Sequence, residues 1–106
     1  MKKPALTAVA LSIALTALPA LAAESESATL YKSKCAMCHA ADGSGNTATG
    51  KAMRVRDLRA DEVQKRTDVE LTKIIAGGEG KMPAYGKQFS TEQIQGLIAF
   101  ICTLKP

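Results

Sequence analysis

The sequence predicts an all-α fold, three to four helices joined by long loops and closed around a group that the chain itself does not supply. Three observations predict it. Two S/T-x-x-E/Q capping boxes each open an apolar stripe of helical period. No segment reads as a convincing strand. Ahead of both stripes lies Cys35-Ala36-Met37-Cys38-His39, a C-x-x-C-H run with the spacing of covalent c-type haem attachment.

The chemistry of that spacing is specific. Two thiols three positions apart can each add to one vinyl group of a haem, and the next residue, His39, is then placed to offer its imidazole to the iron. A bare C-x-x-C also suits a thioredoxin-like dithiol or half of a zinc site. The zinc alternative needs a second ligand pair, whereas the chain has one His and three Cys in all. The dithiol alternative needs a β-α-β context, which the sequence lacks.

The N-terminus reads as a secretory leader over residues 1–22. Met1-Lys2-Lys3 is a short basic start, Ala5 to Leu18 is an almost unbroken apolar run, and Pro19-Ala20-Leu21-Ala22 offers small residues for cleavage after Ala22. The alternative, an uncleaved anchor, is disfavoured because the run is short for a span of about 20 residues. Haem attachment outside the cytoplasm agrees with export, so the expected location is the periplasm. What remains, 23–106, is one small domain with little apolar surface to bury, and such domains need a staple. A large apolar disc at the centre would be one, in keeping with an aromatic content of 4% and no Trp.

The formal charge of +4 includes Lys2 and Lys3, which leave with the leader. The remaining excess is too small for nucleic-acid binding. Residues 51–66 are locally basic, with Lys51, Arg54, Arg56, Arg59, Lys65 and Arg66 against Asp57, Asp61 and Glu62. That patch either neutralises haem propionates, meets an acidic redox partner, or is an ordinary solvated face.

Three helices follow from the pattern. The first is expected from Ser25 or Ser27 to Cys38, with Ser as N-cap and Glu26 in the first turn. Ala40–Leu58 is rich in Gly, Thr and Asn and should be a loop, turning at Asp42-Gly43-Ser44-Gly45-Asn46. A short helix is expected within 59–66. Thr67-Asp68-Val69-Glu70 opens the second clear helix, with Leu71, Ile74 and Ile75 as its stripe and Gly77-Gly78 as its stop. After a loop from Glu79 to Phe89, Ser90-Thr91-Glu92-Gln93 opens the last helix, whose stripe is Ile94, Leu97, Ile98 and Ile101.

The single histidine fills one axial position, which excludes bis-His ligation within the chain. The second position falls to a Met, a Lys, a Cys or nothing. Met82 is the expected ligand. It lies in Gly80-Lys81-Met82-Pro83-Ala84-Tyr85-Gly86 between two helices, where Pro83 stiffens the chain beside the sulfur. A thioether is soft and neutral and raises the reduction potential. Met37 lies inside the attachment run on the His39 side. Met53, in the loop, reads as a packing residue beside the haem.

With these residues in view, the chain resembles a class I cytochrome c, the low-spin monohaem type, and its short bacterial and photosynthetic members in particular. The resemblance covers residues 24–106. It rests on the C-x-x-C-H run, on Lys81-Met82-Pro83-Ala84-Tyr85 and on Leu97-Ile98-Ala99-Phe100-Ile101. It implies a small cytochrome c fold around one covalently attached haem c, with Cys35 and Cys38 bound to the haem and His39 and Met82 on the iron. It implies that the first and last helices cross, with Tyr31 meeting Leu97 and Phe100, and that Leu58 lies against the haem. Ser27 stands where relatives often have Gly. No Pro occurs between His39 and Met82, so another backbone carbonyl in 40–58 has to accept the His39 ring N–H.

The implied function is electron transport rather than enzymatic catalysis: a soluble one-electron carrier that docks transiently with redox partner proteins. Lys81 and Lys87 flank the Met82 loop as candidate docking residues. Two other readings are a ligand-binding haem protein with Met82 off the iron, and an electron-entry subunit of a larger oxidoreductase. A monomer is expected. Cys102 is left over, either as a half-buried helix residue or as the link of a disulfide dimer.

Overall fold

The structure, a computed structural model, describes residues 2–12 and 18–106. Residues 13–17 of the apolar leader lie outside the described residues. Among the described residues six helices follow one another: α1 (Leu18–Lys34), α2 (Ala36–His39), α3 (Ala48–Met53), α4 (Asp61–Gln64), α5 (Asp68–Gly77) and α6 (Thr91–Ile101). Among the described residues the only β feature is one isolated bridge between Glu79 and Met82. The all-α expectation is met, with two short helices more than the sequence pattern resolves.

The long helices begin and end for local reasons. Thr67 and Glu70 form a capping box at the start of α5, and Ser90 and Gln93 form one at the start of α6. At the far end of α5 the chain leaves through Gly78, at φ +75°. The α6 stripe is buried as expected at Ile94, Leu97, Ile98 and Ile101. On α5, Leu71 and Ile75 are buried and Ile74 is half-buried.

The first helix differs from its expected start at Ser25 or Ser27. It already runs from Leu18, and the Ser27 hydroxyl donates back to the Ala23 carbonyl at 3.0 Å from inside the helix. The alanines and leucine at 20–23 are strong helix formers, so nothing stops the helix at the serines. It also breaks for one residue at Cys35, whose N–H still bonds the Tyr31 carbonyl at 2.8 Å before α2 begins. The expected loop over 40–58 contains α3, capped by the Thr47 hydroxyl, which accepts from Gly50 N–H at 2.8 Å. The expected short helix within 59–66 is α4.

The core forms where α1 packs on α6 and α6 on α5. Tyr31 and Leu97, each 1% exposed, are its most buried large side chains. Tyr31 also lies against Phe100, ring centroids 4.8 Å apart and planes tilted by 42°. The expected crossing of first and last helices is therefore present. It is close because Gly96 faces Ser27: a Cβ on Gly96 would run into the Ser27 hydroxyl.

This contact sets a test of the crossing. Gly96→Val should overpack it and cost about 1–3 kcal/mol in denaturant unfolding. Ser27→Ala in the same chain should recover part of that loss; equal losses in single and double variants would show that the two residues do not limit the helix approach.

Candidate haem site

A cavity of about 340 Å³ opens beneath the helices, within the usual size range of ligand pockets. Cys35, Cys38, His39, Met82, Tyr31 and Leu58, six residues scattered from 31 to 82, all line it. So do apolar side chains of the core, among them Val63, Leu71, Ile75, Phe89, Leu97 and Ile101. The walls are thus mostly hydrocarbon, with polar groups concentrated at the attachment run and the rim.

The attachment run is held by short contacts. The Tyr31 hydroxyl donates to the Ala40 carbonyl at 2.7 Å, tying α1 to the residue after His39, where the chain turns at φ +67°. The Thr47 hydroxyl donates to the Cys38 carbonyl at 3.0 Å, and Gly45 N–H to the His39 carbonyl at 2.8 Å. Gly50 lets α3 approach this corner, since a Cβ there would collide with the Cys38 carbonyl. The Asp42–Asn46 turn is closed by Ser44 N–H donating to the Asp42 carboxylate at 3.0 Å. Leu58 is fixed from two sides: its N–H donates to the Gly43 carbonyl at 2.8 Å, and the Gln64 amide donates to its carbonyl at 2.7 Å and to that of Ile101 at 3.0 Å.

Burial acts on the titratable groups of the wall. It pushes the Cys35 thiol up to about 11, with Cys38 adding to the effect, so this sulfur is a neutral thiol at neutral pH. It lowers the His39 pKa, against a smaller raising effect from the Arg56 backbone, which favours the neutral imidazole that a metal requires. Among the described residues His39 Nδ1 is buried without a hydrogen-bond partner. Arg56 thus acts on the ring without closing a bond to Nδ1. Such an orphan in an apolar cavity is the mark of a group still to be bound. Among the described residues no three His, Cys, Asp or Glu side chains gather as for a metal ion. The zinc reading of the two cysteines therefore lacks its second ligand pair.

Met82 sits on a short reversal. Its N–H donates to the Glu79 carbonyl at 2.9 Å, and Glu79 N–H donates to its carbonyl at 3.3 Å, around Gly80 at φ +57°. Downstream, Tyr85 N–H donates to the Ile75 carbonyl at 2.9 Å and Gly86 N–H to that of Ala76 at 3.0 Å, which moors the loop to the end of α5. The Tyr85 ring stacks on Phe89 with centroids 4.9 Å apart.

The rival methionines separate. Met37 is exposed and off the cavity, whereas Met53 lines it from the last position of α3 rather than from a loop. Met53 is 43% exposed and stands at the cavity wall, where it was expected to pack beside the haem. The basic stretch divides too. Arg54, Arg56 and Arg66 line the cavity, while Arg59 grips Asp57 with two bonds of 3.0 Å and reaches Asp42 at 3.9 Å. Lys81 lines the cavity and Lys87 does not. Cys102, read either as a half-buried helix residue or as a dimer link, is exposed at the C-cap of α6, just past the buried Ile101. Val63 and Phe89 are wall residues that the sequence pattern left unmarked. The signal for Val63 was being the sole large apolar side chain in 59–66.

These walls, two thiols and one histidine in a small helical domain define a c-type cytochrome. The chain matches the family described as cytochrome c oxidase, cbb3-type, subunit III, over residues 22–101. It is 34% identical over 77 residues to a cytochrome c6 of Aphanizomenon flos-aquae, covering 70% of this chain and 82% of that one. A cytochrome c6 of Rippkaea orientalis is 31% identical over 84 residues, 78% of this chain and 73% of that one. Among solved structures, the KustC0563 c-type cytochrome superposes with a TM-score of 0.69 at 24% identity, over 76% of this chain and 98% of that one. The chain belongs to the cytochrome c family, as a small monohaem class I member matching the cbb3-type subunit III description. It is an electron-transfer protein, and its cofactor is one covalently attached haem c.

The reversal that carries Met82 depends on Gly78. A Cβ there would lie 2.7 Å from the Met82 carbonyl oxygen, at a φ of +75° that L-residues rarely adopt. Gly78→Ala should therefore cost more than about 1 kcal/mol in urea unfolding of the haem-loaded protein, and an unchanged midpoint would show that the loop yields freely.

Proposed function

We propose that this chain is a soluble, periplasmic one-electron carrier with Cys35 and Cys38 joined to the haem and with His39 and Met82 as axial ligands. The observation that carries the reading is the convergence of these four side chains on one apolar cavity. The haem supplies the Fe(III)/Fe(II) couple. Cys35 and Cys38 would fix its position, and neutral His39 would offer a ring nitrogen, with the Arg56 backbone acting on the ring. Met82 offers a soft, uncharged sulfur that favours the reduced state. Tyr31 and Leu58 would pack against the ring, and the apolar walls would keep water away, so little around the iron would have to reorganise when its charge changes.

Residues 1–22 act as a cleaved export signal in this reading. Leu6, Val9 and Leu11 stand 98%, 84% and 82% exposed, apolar surface that a finished domain would not leave in water. Among the described residues no helix is long and apolar enough to cross a membrane. The description of the matched family favours a second reading, a stable subunit of a larger oxidoreductase. Co-purification with such an enzyme would select it.

Produced in a periplasm with its own leader, the protein should begin at Ala23 and show a low-spin, six-coordinate spectrum that carbon monoxide leaves unchanged. Met82→Ala should abolish the six-coordinate form and admit carbon monoxide. A high-spin wild type that binds carbon monoxide would remove Met82 from the iron and with it the carrier reading.

Docking would use the rim where Lys81 meets the cavity mouth. Lys81→Gln should slow electron exchange with an acidic redox partner and flatten the dependence of the rate on salt. Equal rates and equal salt slopes would exclude that rim from docking.

A further inference from the structure

The segment 54–58 and the Met82 reversal both line the cavity, yet they arrive from different parts of the chain. Segment 54–58 is built onto the attachment run: Val55 N–H donates to the Gly50 carbonyl at 3.0 Å, Leu58 N–H to that of Gly43 at 2.8 Å, and the Arg56 backbone acts on the His39 ring. The Met82 reversal is moored elsewhere, through Tyr85 and Gly86 to the end of α5 and through the Tyr85 hydroxyl, which donates to the Lys34 carbonyl at 3.4 Å. Among the described residues one polar contact joins the two segments, the ion pair between Arg56 Nη2 and Glu79 Oε1 at 3.5 Å.

Glu79 is not a free surface carboxylate. It exchanges both backbone hydrogen bonds with Met82, so the two residues move as a unit. A force on the Glu79 carboxylate is therefore a force on the Met82 backbone. Arg56 is placed to exert it from the segment that faces His39.

We infer that Arg56 and Glu79 form a clasp that positions Met82 over the cavity, tying its loop to the segment that faces His39. The inference rests on Met82 as the axial ligand. It gives this chain two positioning residues at the cavity rim. Both side chains are about half exposed, 45% and 48%, so the clasp is weak and sensitive to salt. It sets how often the Met82 sulfur leaves, not whether it binds.

An external ligand has to wait for that departure, so its apparent affinity follows the fraction of open loop. The test is imidazole binding to the oxidised, haem-loaded protein, followed by its absorption spectrum at low and high salt. Arg56→Gln and Glu79→Gln should each raise the apparent affinity about two- to fivefold at low ionic strength, the size expected for losing one half-exposed ion pair. The double variant should do no more than either single variant, and in about 1 M salt all four proteins should converge. If neither single variant moves the affinity, if their effects add, or if the gain survives high salt, there is no clasp. An effect of Arg56→Gln with a silent Glu79→Gln would also overturn it, by assigning the guanidinium to another anion such as a propionate. Met82→Ala separates the two levels. If it fails to raise imidazole affinity, the ligand reading itself is wrong; if it does raise it and the clasp variants do not, only the clasp is.

Discussion

The fold and the site meet at Tyr31. Its ring is buried where α1 crosses α6, against Leu97 and Phe100, and its hydroxyl reaches the Ala40 carbonyl just past His39. One side chain thus fills the crossing of two helices and ties it to the attachment run. Burial raises its pKa, so the hydroxyl keeps its proton and remains a donor across the neutral range. Ser27 and Gly96 determine how close the helices come, and Tyr31 converts that approach into a position for His39.

In so small a domain, core and binding wall are the same residues. Leu71 and Ile75 of α5 and Leu97 and Ile101 of α6 belong to the buried cluster and also line the cavity. Each presents one face to its neighbours and another to the space between the helices. Filling that space completes the core, so cofactor attachment and folding are linked. The loops are long because they have to go around the cavity. They are ordered by side chains that bond backbone across sequence, as Thr47 does to Cys38 and Gln64 does to Leu58 and Ile101.

What the sequence disclosed was set by local chemistry. The boxes at Thr67/Glu70 and Ser90/Gln93 join residues three apart, so they could be read directly, as could the C-x-x-C-H run and the Asp42–Asn46 turn. The start of α1 was missed because good N-cap serines do not end a helix that strong formers can continue. Helix α3 was missed because its cap residue, Thr47, is oriented by the Cys38 carbonyl, a partner nine residues away. The Arg56–Glu79 contact joins two distant loops and has no local signature.

One consequence follows from α1 running without interruption through Ala22 and Ala23. A peptidase takes its substrate as an extended strand, and a wound helix hides the bond it must reach. In the export reading proposed above, removal of the leader there would have to precede the coiling of this stretch, so the order of maturation would be cut first, coil second. The fresh α-amino group would appear at the positive end of the helix dipole, an unfavourable place for a cation, and Glu24 and Glu26 stand within the first turn to offset it.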